Sequence, residues 1–216
     1  MIRLHLDKSK NEALSILCLG AHSDDIEIGC GGTILRLIEQ YPACKFHWVV
    51  FSAIAVRKAE AQRAAESFAG SRLERLLLKD FPDGFMPYVG SDVKAVFEEL
   101  KQTVSPDLIL THNRRDGHQD HRLLSELTWN TFRNHFILEY EIPKYDGDLG
   151  QPSVFMPLEP EVCQTKVRHL LAAFESQRNK NWFEESTFQS LMRLRGMECN
   201  SPSGFAEAFY CRKLVL

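Results

Sequence analysis

The sequence predicts an α/β fold: a Rossmann-like, mostly parallel sheet with helices on both faces, forming a single domain over residues 1–216. Three observations predict it. Apolar runs that read as buried strands alternate with segments of helical spacing through the first two thirds of the chain, the pattern of a parallel sheet covered on both sides. At 216 residues and 44% hydrophobic, the chain is long and apolar enough for one sizeable core. No repeat, low-complexity tract or Gly/Ser/Pro-rich linker divides it.

The elements follow in order. Residues 13–21, within ALSILCLGAH, form an apolar run bounded by polar residues and read as a buried strand. GGTILRLIEQY has helical spacing at Ile34, Leu35, Leu37 and Ile38, and KFHWVVFSA is a second strand. RKAEAQRAAESFAG is rich in good helix formers and stops at Gly70. LERLLLKDF reads as a third strand. SDVKAVFEELKQTVSP reads as a helix capped by Ser91 and ending before Pro106. DLILTHN is a fourth strand, followed by the helix HQDHRLLSELTWNTFR. FILEYEIP and SVFMPL are extended, and two more helices fall in EPEVCQTKVRHLLAAFESQ and EESTFQSLMRLRGM. EAFYCRKLVL closes the sheet. The longest irregular stretch, residues 143–153, is either a cover for a site or a turn-rich connection.

Composition narrows the partners. A net charge of −3 supplies no strong field for nucleic acid or anionic lipid, so no nucleic-acid partner is expected. No run approaches the roughly 20 apolar residues of a membrane span, and the first residues read as neither a secretory nor a transit leader. The six cysteines include no Cys-x-x-Cys pair and lie in apolar segments, which suits reduced, buried thiols and a cytoplasmic location. Whether the chain forms a homo-oligomer is left open.

Two clusters carry chemistry. His22, Asp24, Asp25 and Glu27 follow the first strand, and His112, Asp116, His118, Asp120 and His121 follow the fourth. In open parallel sheets ligands bind beyond the carboxyl ends of the strands, where both clusters fall. Imidazole with carboxylate suits zinc or another first-row divalent ion, and two histidines with one carboxylate leave positions open for catalysis. Each cluster also has a plainer explanation. Asp24 and Asp25 could cap the next helix, and His118 with His121 could form a solvated face. Cys30 is read as packing rather than as nucleophile or ligand. Gly29, Gly31 and Gly32 lack the phosphate-loop spacing and follow acidic residues, so they are read as points of close approach or tight packing.

These residues resemble a known family. AHSDDIEIGCGGT is similar to the A-H-P-D-D-E…G-G-T signature of the PIG-L/LmbE-like N-deacetylases, and HQDH to that family's H-x-D-H motif about a hundred residues later. RKAEAQRAAESFAG, FPDG and AEAFY also resemble family segments, with the weakest likeness between about 125 and 190. Ser23 stands where the family has proline, and Ile26 where it has an acidic residue, with Glu27 displaced by one position. The resemblance implies His22, Asp25 and His121 as zinc ligands and Asp24 as general base. It implies His118 as the residue that steadies the oxyanion or helps protonate the leaving group, and Asp120 as the carboxylate orienting a histidine through its other ring nitrogen. Arg57 and Asp83 match positions near the substrate; for Asp83 a plain turn aspartate is the alternative. The implied activity is zinc-dependent release of acetate from an N-acetylglucosamine-type conjugate, whether small-molecule, lipid-linked or nucleotide-linked. A non-catalytic sugar-nucleotide-binding protein and a metal-dependent esterase or phosphatase are the alternatives.

Overall fold

A computed structural model describes Leu6 and residues 12–215. Residues 1–5 and 7–11 of the N-terminal stretch read for a leader, and Leu216 of the expected closing strand, lie outside the described residues. In chain order the main elements are β1 (Ser15–His22), α1 (Asp25–Gln40), β2 (Lys45–Ser52), α2 (Val56–Ala69), β3 (Leu73–Leu78) and α3 (Gly90–Thr103). There follow β4 (Leu108–His112), α4 (Gln119–Thr131), β5 (Phe136–Tyr140), β6 (Val154–Leu158), α5 (Pro160–Ala173), α6 (Glu185–Glu198) and β7 (Phe205–Cys211). The strands form one seven-stranded sheet in the order β3-β2-β1-β4-β5-β7-β6. The first five are parallel; β7 runs antiparallel to both β5 and β6.

The two-residue period of the strands sorts the core onto two faces. Ile16, Cys18, Phe46, Trp48 and Val50 point to the side covered by α1, α2 and α5. Leu17, Leu19, Val49, Phe51 and Ile109 point to the side covered by α3 and α4. From β1 the chain runs outward through β2 and β3, then returns with β4 to the other side of β1. The strand order therefore reverses between β1 and β4, which opens a crevice at their carboxyl ends.

Several expected boundaries move. β1 runs to His22, so this histidine is the last residue of a strand. α1 starts at Asp25 rather than at the glycines and carries the acidic motif in its first turn. It is broken at Cys30 (φ −144°, ψ 18°), and the break frees backbone N–H groups that Glu207 of β7 satisfies. Gly32 N–H donates to Glu207 Oε1 (2.8 Å) and Thr33 N–H to Oε2 (2.6 Å), while Lys166 Nζ donates to Oε1 (2.6 Å). A carboxylate from the far end of the chain thus caps the second half of α1 from inside the core. The glycines allow close packing: a Cβ on Gly29 would lie 2.3 Å from the Tyr140 ring, and one on Gly31 2.6 Å from Phe68. Ser91 does not cap α3, which begins at Gly90 after Val89 with no side-chain cap. β3 stops at Leu78, the helix expected over 159–177 ends at Ala173 and continues as a 3-10 turn, and β7 spans only Phe205–Cys211. The six cysteines are free and all but Cys211 are buried. Among the described residues no helix is long and apolar enough to cross a membrane.

Candidate active site

The crevice between β1 and β4 gathers the two motifs. His22 ends β1, and Asp24 and Asp25 open α1; His112 ends β4, while His118 caps α4 and Asp120 and His121 form its first turn. His22 Nδ1 lies 3.1 Å from His121 Nε2 and 3.3 Å from Asp25 Oδ2, and His121 Nε2 lies 3.5 Å from Asp25 Oδ2. These three donor atoms, drawn from residues as much as 99 positions apart, thus form one small triangle. Four ligands about 2.1 Å from a common centre in a tetrahedron are about 3.4 Å from one another, so the triangle has the size of a coordination face.

Protonation explains why a cation fits there. The other nitrogen of His22, Nε2, faces Asp120 Oδ2 (3.2 Å) and Asp83 Oδ1 (3.0 Å). The other nitrogen of His121, Nδ1, faces Asp116 Oδ2 (3.0 Å). With its proton on the nitrogen that faces a carboxylate, each ring turns a lone pair toward the centre. Two lone pairs and a carboxylate oxygen would then converge in a buried space, an arrangement that a divalent ion relieves. Asp25 is further held by the His22 backbone N–H (2.6 Å). Burial opposes its charge, but the imidazoles of His121, His112 and His22 outweigh that and hold its carboxyl well below the usual range. Burial likewise opposes charge on His22, yet Asp25, Asp120 and Asp83 keep its pKa well above that of an ordinary imidazole. Burial and the neighbouring His112 push His121 the other way.

Asp24, the residue before Asp25, is also buried. Arg57, in the first turn of α2, donates from Nη2 to Asp24 Oδ1 (2.6 Å), and the buried Oδ2 has no hydrogen-bond partner. Asp24 and Asp25 do not cap α1 through their side chains: Asp24 occupies the cap position without a side-chain cap bond. His118 caps α4, its Nδ1 accepting the Asp120 N–H (3.3 Å). The neutral ring therefore carries its proton on Nε2. Burial, His121 and His22 lower its pKa, so neutrality is the favoured state near pH 7. His121 is 2% exposed, which excludes a solvated histidine face. Asp120 also accepts the N–H groups of Gly84 (2.7 Å) and Met86 (3.2 Å), tying the loop after β3 to the site.

Asp116 and His112, candidate ligands by residue type in the second cluster, take part, and so does Lys144, which nothing in the sequence singles out. Asp116 backs His121 and also lies 3.0 Å from Lys144 Nζ, so the 143–153 loop leans on the site through Lys144. His112, fully buried, stacks on His121 with ring centroids 3.9 Å apart, and its Nε2 accepts the Ala21 N–H (2.9 Å). The signal for Asp116 and His112 was present in THNRRDGHQDH, but which nitrogen each acidic group meets depends on the loop path. Glu27 is buried with neither oxygen hydrogen-bonded; burial, reinforced by Asp24 and Asp25, raises its pKa well above the carboxylate norm. Cys30 packs in the core, its Sγ against Ile26 O (3.1 Å), and burial pushes its thiol pKa far up, away from nucleophile chemistry.

A family model described as PIG-L, GlcNAc-PI de-N-acetylase, matches residues 17–132, more than half of the 216-residue chain and the span from before His22 to beyond His121. The chain belongs to the PIG-L family. Solved structures show the same fold. A conserved protein of Thermus thermophilus superposes on this PIG-L protein with a TM-score of 0.76 at 20% identity, covering 94% of this chain and 96% of that one. The N,N'-diacetylchitobiose deacetylase of Pyrococcus horikoshii gives 0.70 at 17% identity, covering 91% and 83%. The 4-carboxy-2-hydroxymuconate hydratase GalB of Pseudomonas putida gives 0.73 at 18% identity, covering 94% and 98%. At these identities the likeness is one of fold.

Proposed function

We propose that this PIG-L protein is a metal-dependent N-deacetylase that releases acetate and a free amine from an N-acetylglucosamine-type conjugate. The observation that carries the reading is the triangle of His22, Asp25 and His121, with the buried, unbonded Oδ2 of the adjoining residue Asp24, in a chain of the GlcNAc-PI de-N-acetylase family. His22, Asp25 and His121 would hold zinc or another first-row divalent ion, whose donor preference they match. Bound there, such an ion supplies Lewis acidity that lowers the pKa of water and polarises a carbonyl.

The residues divide the remaining work. Arg57 holds Asp24 by one carboxylate oxygen, so the other is free to take a proton from the attacking water. His118, with Nδ1 engaged by the Asp120 N–H, keeps its Nε2–H available and would donate it to the oxyanion as it forms. This donation needs no prior protonation of His118, in keeping with its lowered pKa. The proton collected by Asp24 then goes to the departing nitrogen, without which an amine is a poor leaving group. Asp120 and Asp116 keep the two ligand imidazoles in the required tautomer. Asp83 and Arg57 line the substrate side.

The test is release of free amine from a panel of acetylated amino-sugar conjugates, with zinc and with chelator. Asp24→Asn should bind metal as wild type does and lose at least about a hundredfold in turnover, the lower range for a general base. Turnover near wild type would remove Asp24 from the role, and no amine from any conjugate with metal-loaded protein would refute the activity. The hydratase on the same fold favours keeping a second reading, metal-assisted addition of water to another bond. Amine release decides between them.

A further inference from the structure

Four large apolar side chains stand in solvent on the two segments that border the catalytic groups, the connection from β2 into the first residue of α2 and the turn with its short 3-10 helix after β3: Ile54 (47% exposed), Val56 (60%), Phe85 (59%) and Tyr88 (81%). The first loop leaves β2 just after Ser52, the register partner of His22. Val56 directly precedes Arg57, which holds Asp24. Between Ile54 and Val56, Ala55 adopts φ +52°, a conformation that disfavours any residue but glycine. The second loop is pinned to the site on both sides of Phe85. Asp83 meets His22, and the N–H groups of Gly84 and Met86 donate to Asp120. Met86 is fully buried, so the loop is anchored while Phe85 and Tyr88, with ring centroids 6.0 Å apart, remain outside.

Exposed apolar residues are ordinary when scattered, but a group of them at the edge of a buried polar centre marks a contact surface. Whatever covers these loops also sits beside Asp24, Asp83 and His22. The charges nearest them favour neither sign of partner. Arg57 is already paired with Asp24, and the exposed carboxylate of Asp83 is balanced by the exposed Lys58 in the first turn of α2. We infer that Ile54, Val56, Phe85 and Tyr88 are specificity-determining residues that select an acetylated amino sugar bearing an uncharged apolar aglycone, an alkyl chain or aromatic group. The inference rests on the deacetylase reading and narrows its substrate class. Because the loop backbone is held by the catalytic residues, the surface is formed in advance and loses little freedom on binding.

The experiment compares the methyl and n-octyl β-glycosides of N-acetylglucosamine, both as monomers below micelle formation, with zinc-loaded protein and free amine as readout. The octyl glycoside should show a KM at least tenfold below that of the methyl glycoside, with kcat similar. The double variants Phe85→Ser/Tyr88→Ser and Ile54→Ser/Val56→Ser should each shrink that ratio toward one. Equal KM values in the wild type, with amine released from both, would overturn the inference and leave the deacetylase reading intact. A surface for a membrane or a second protein would give that same result. If neither glycoside releases amine, the deacetylase reading fails for this sugar. Saturation-transfer NMR then still measures whether the octyl chain is held at the loops: transfer abolished in Phe85→Ser/Tyr88→Ser supports the apolar selection, and transfer unchanged overturns it.

Discussion

Replacing Asp116 by asparagine tests whether the carboxylate behind His121 tunes metal binding. The amide would keep the volume and one acceptor oxygen near His121 Nδ1 but remove the charge. A hydrogen bond to a charged group contributes about 1.5–3 kcal/mol against about 0.5–1.5 for a neutral one, so the change should cost about 1–1.5 kcal/mol. Lys144 Nζ lies 3.0 Å from Asp116 and already offsets part of that charge, which places the effect at the lower end of the range for such partners. Orienting carboxylates of this kind typically alter metal affinity by about 10–100-fold, and we expect about tenfold here. Competition against a fluorescent zinc chelator at fixed pH gives Kd, and amine release at saturating zinc gives kcat. The expected pattern is a tenfold weaker Kd with kcat within a few-fold of wild type. A Kd within twofold of wild type would refute the argument. So would loss of kcat at saturating zinc with an unchanged Kd, since that pattern belongs to a group acting on substrate. Lys144→Met, which removes the competing cation, should leave zinc binding as tight as in wild type or tighter.

Zinc retention should fall on acidification at a higher pH than for a ligand of ordinary basicity. Ligation requires neutral His22, whose pKa Asp25, Asp120 and Asp83 hold above the ordinary value near 6.5 against the effect of burial. In the metal-free protein the sign is opposite: the raised pKa contributes stability below the unfolded value and loses it as pH rises through the folded one. Equilibrium dialysis with elemental analysis from pH 5 to 9 would show the first trend, and flat binding through pH 6 would contradict it. Gly29→Ala should destabilise by about 1–3 kcal/mol, as overpacking does, since the Tyr140 ring it meets is tethered through its hydroxyl to Leu19 O (2.6 Å); urea titration measures it. Cys30→Ala should leave kcat/KM near wild type. Loss of activity in a folded variant would restore the thiol to the mechanism.

The parts of this molecule legible in the sequence are those whose causes are local. Apolar runs such as ILCLG and DLILT are buried wherever the sheet is, so β1 and β4 could be located from composition alone. Their carboxyl ends fall at the strand-order reversal, and this is why two motifs some hundred residues apart could be expected in one crevice. The start of α1 was not legible, because three glycines in four residues argue against a helix. Only contact with Tyr140, Phe68 and Leu158 gives their missing side chains a use. Nor could the sequence indicate that Glu207 caps α1, a contact made across 175 residues.

The same distinction separates the proposed ligands from the residues that aim them. A ligand is recognised by its type and its position at a strand or helix end. An orienting carboxylate is recognised only by the nitrogen it faces. Asp120 lies beside His121 in sequence, yet it backs His22, whereas His121 is backed by Asp116, five residues upstream. The helical turn explains the exchange. With α4 beginning at Gln119, Asp120 and His121 leave the helix about 100° apart, so Asp120 cannot meet its neighbour's ring and instead reaches across the crevice to β1. Asp116, in the loop before the helix, is free to return toward His121. Exchanging the two acids' chemistry one at a time should therefore affect different ligands. Asp120→Asn should perturb the His22 imidazole and Asp116→Asn the His121 imidazole, each visible as a separate ring-nitrogen shift by 15N NMR of the zinc-loaded protein. A shift of His121 on changing Asp120 alone would show that sequence adjacency, not the helical turn, sets the pairing.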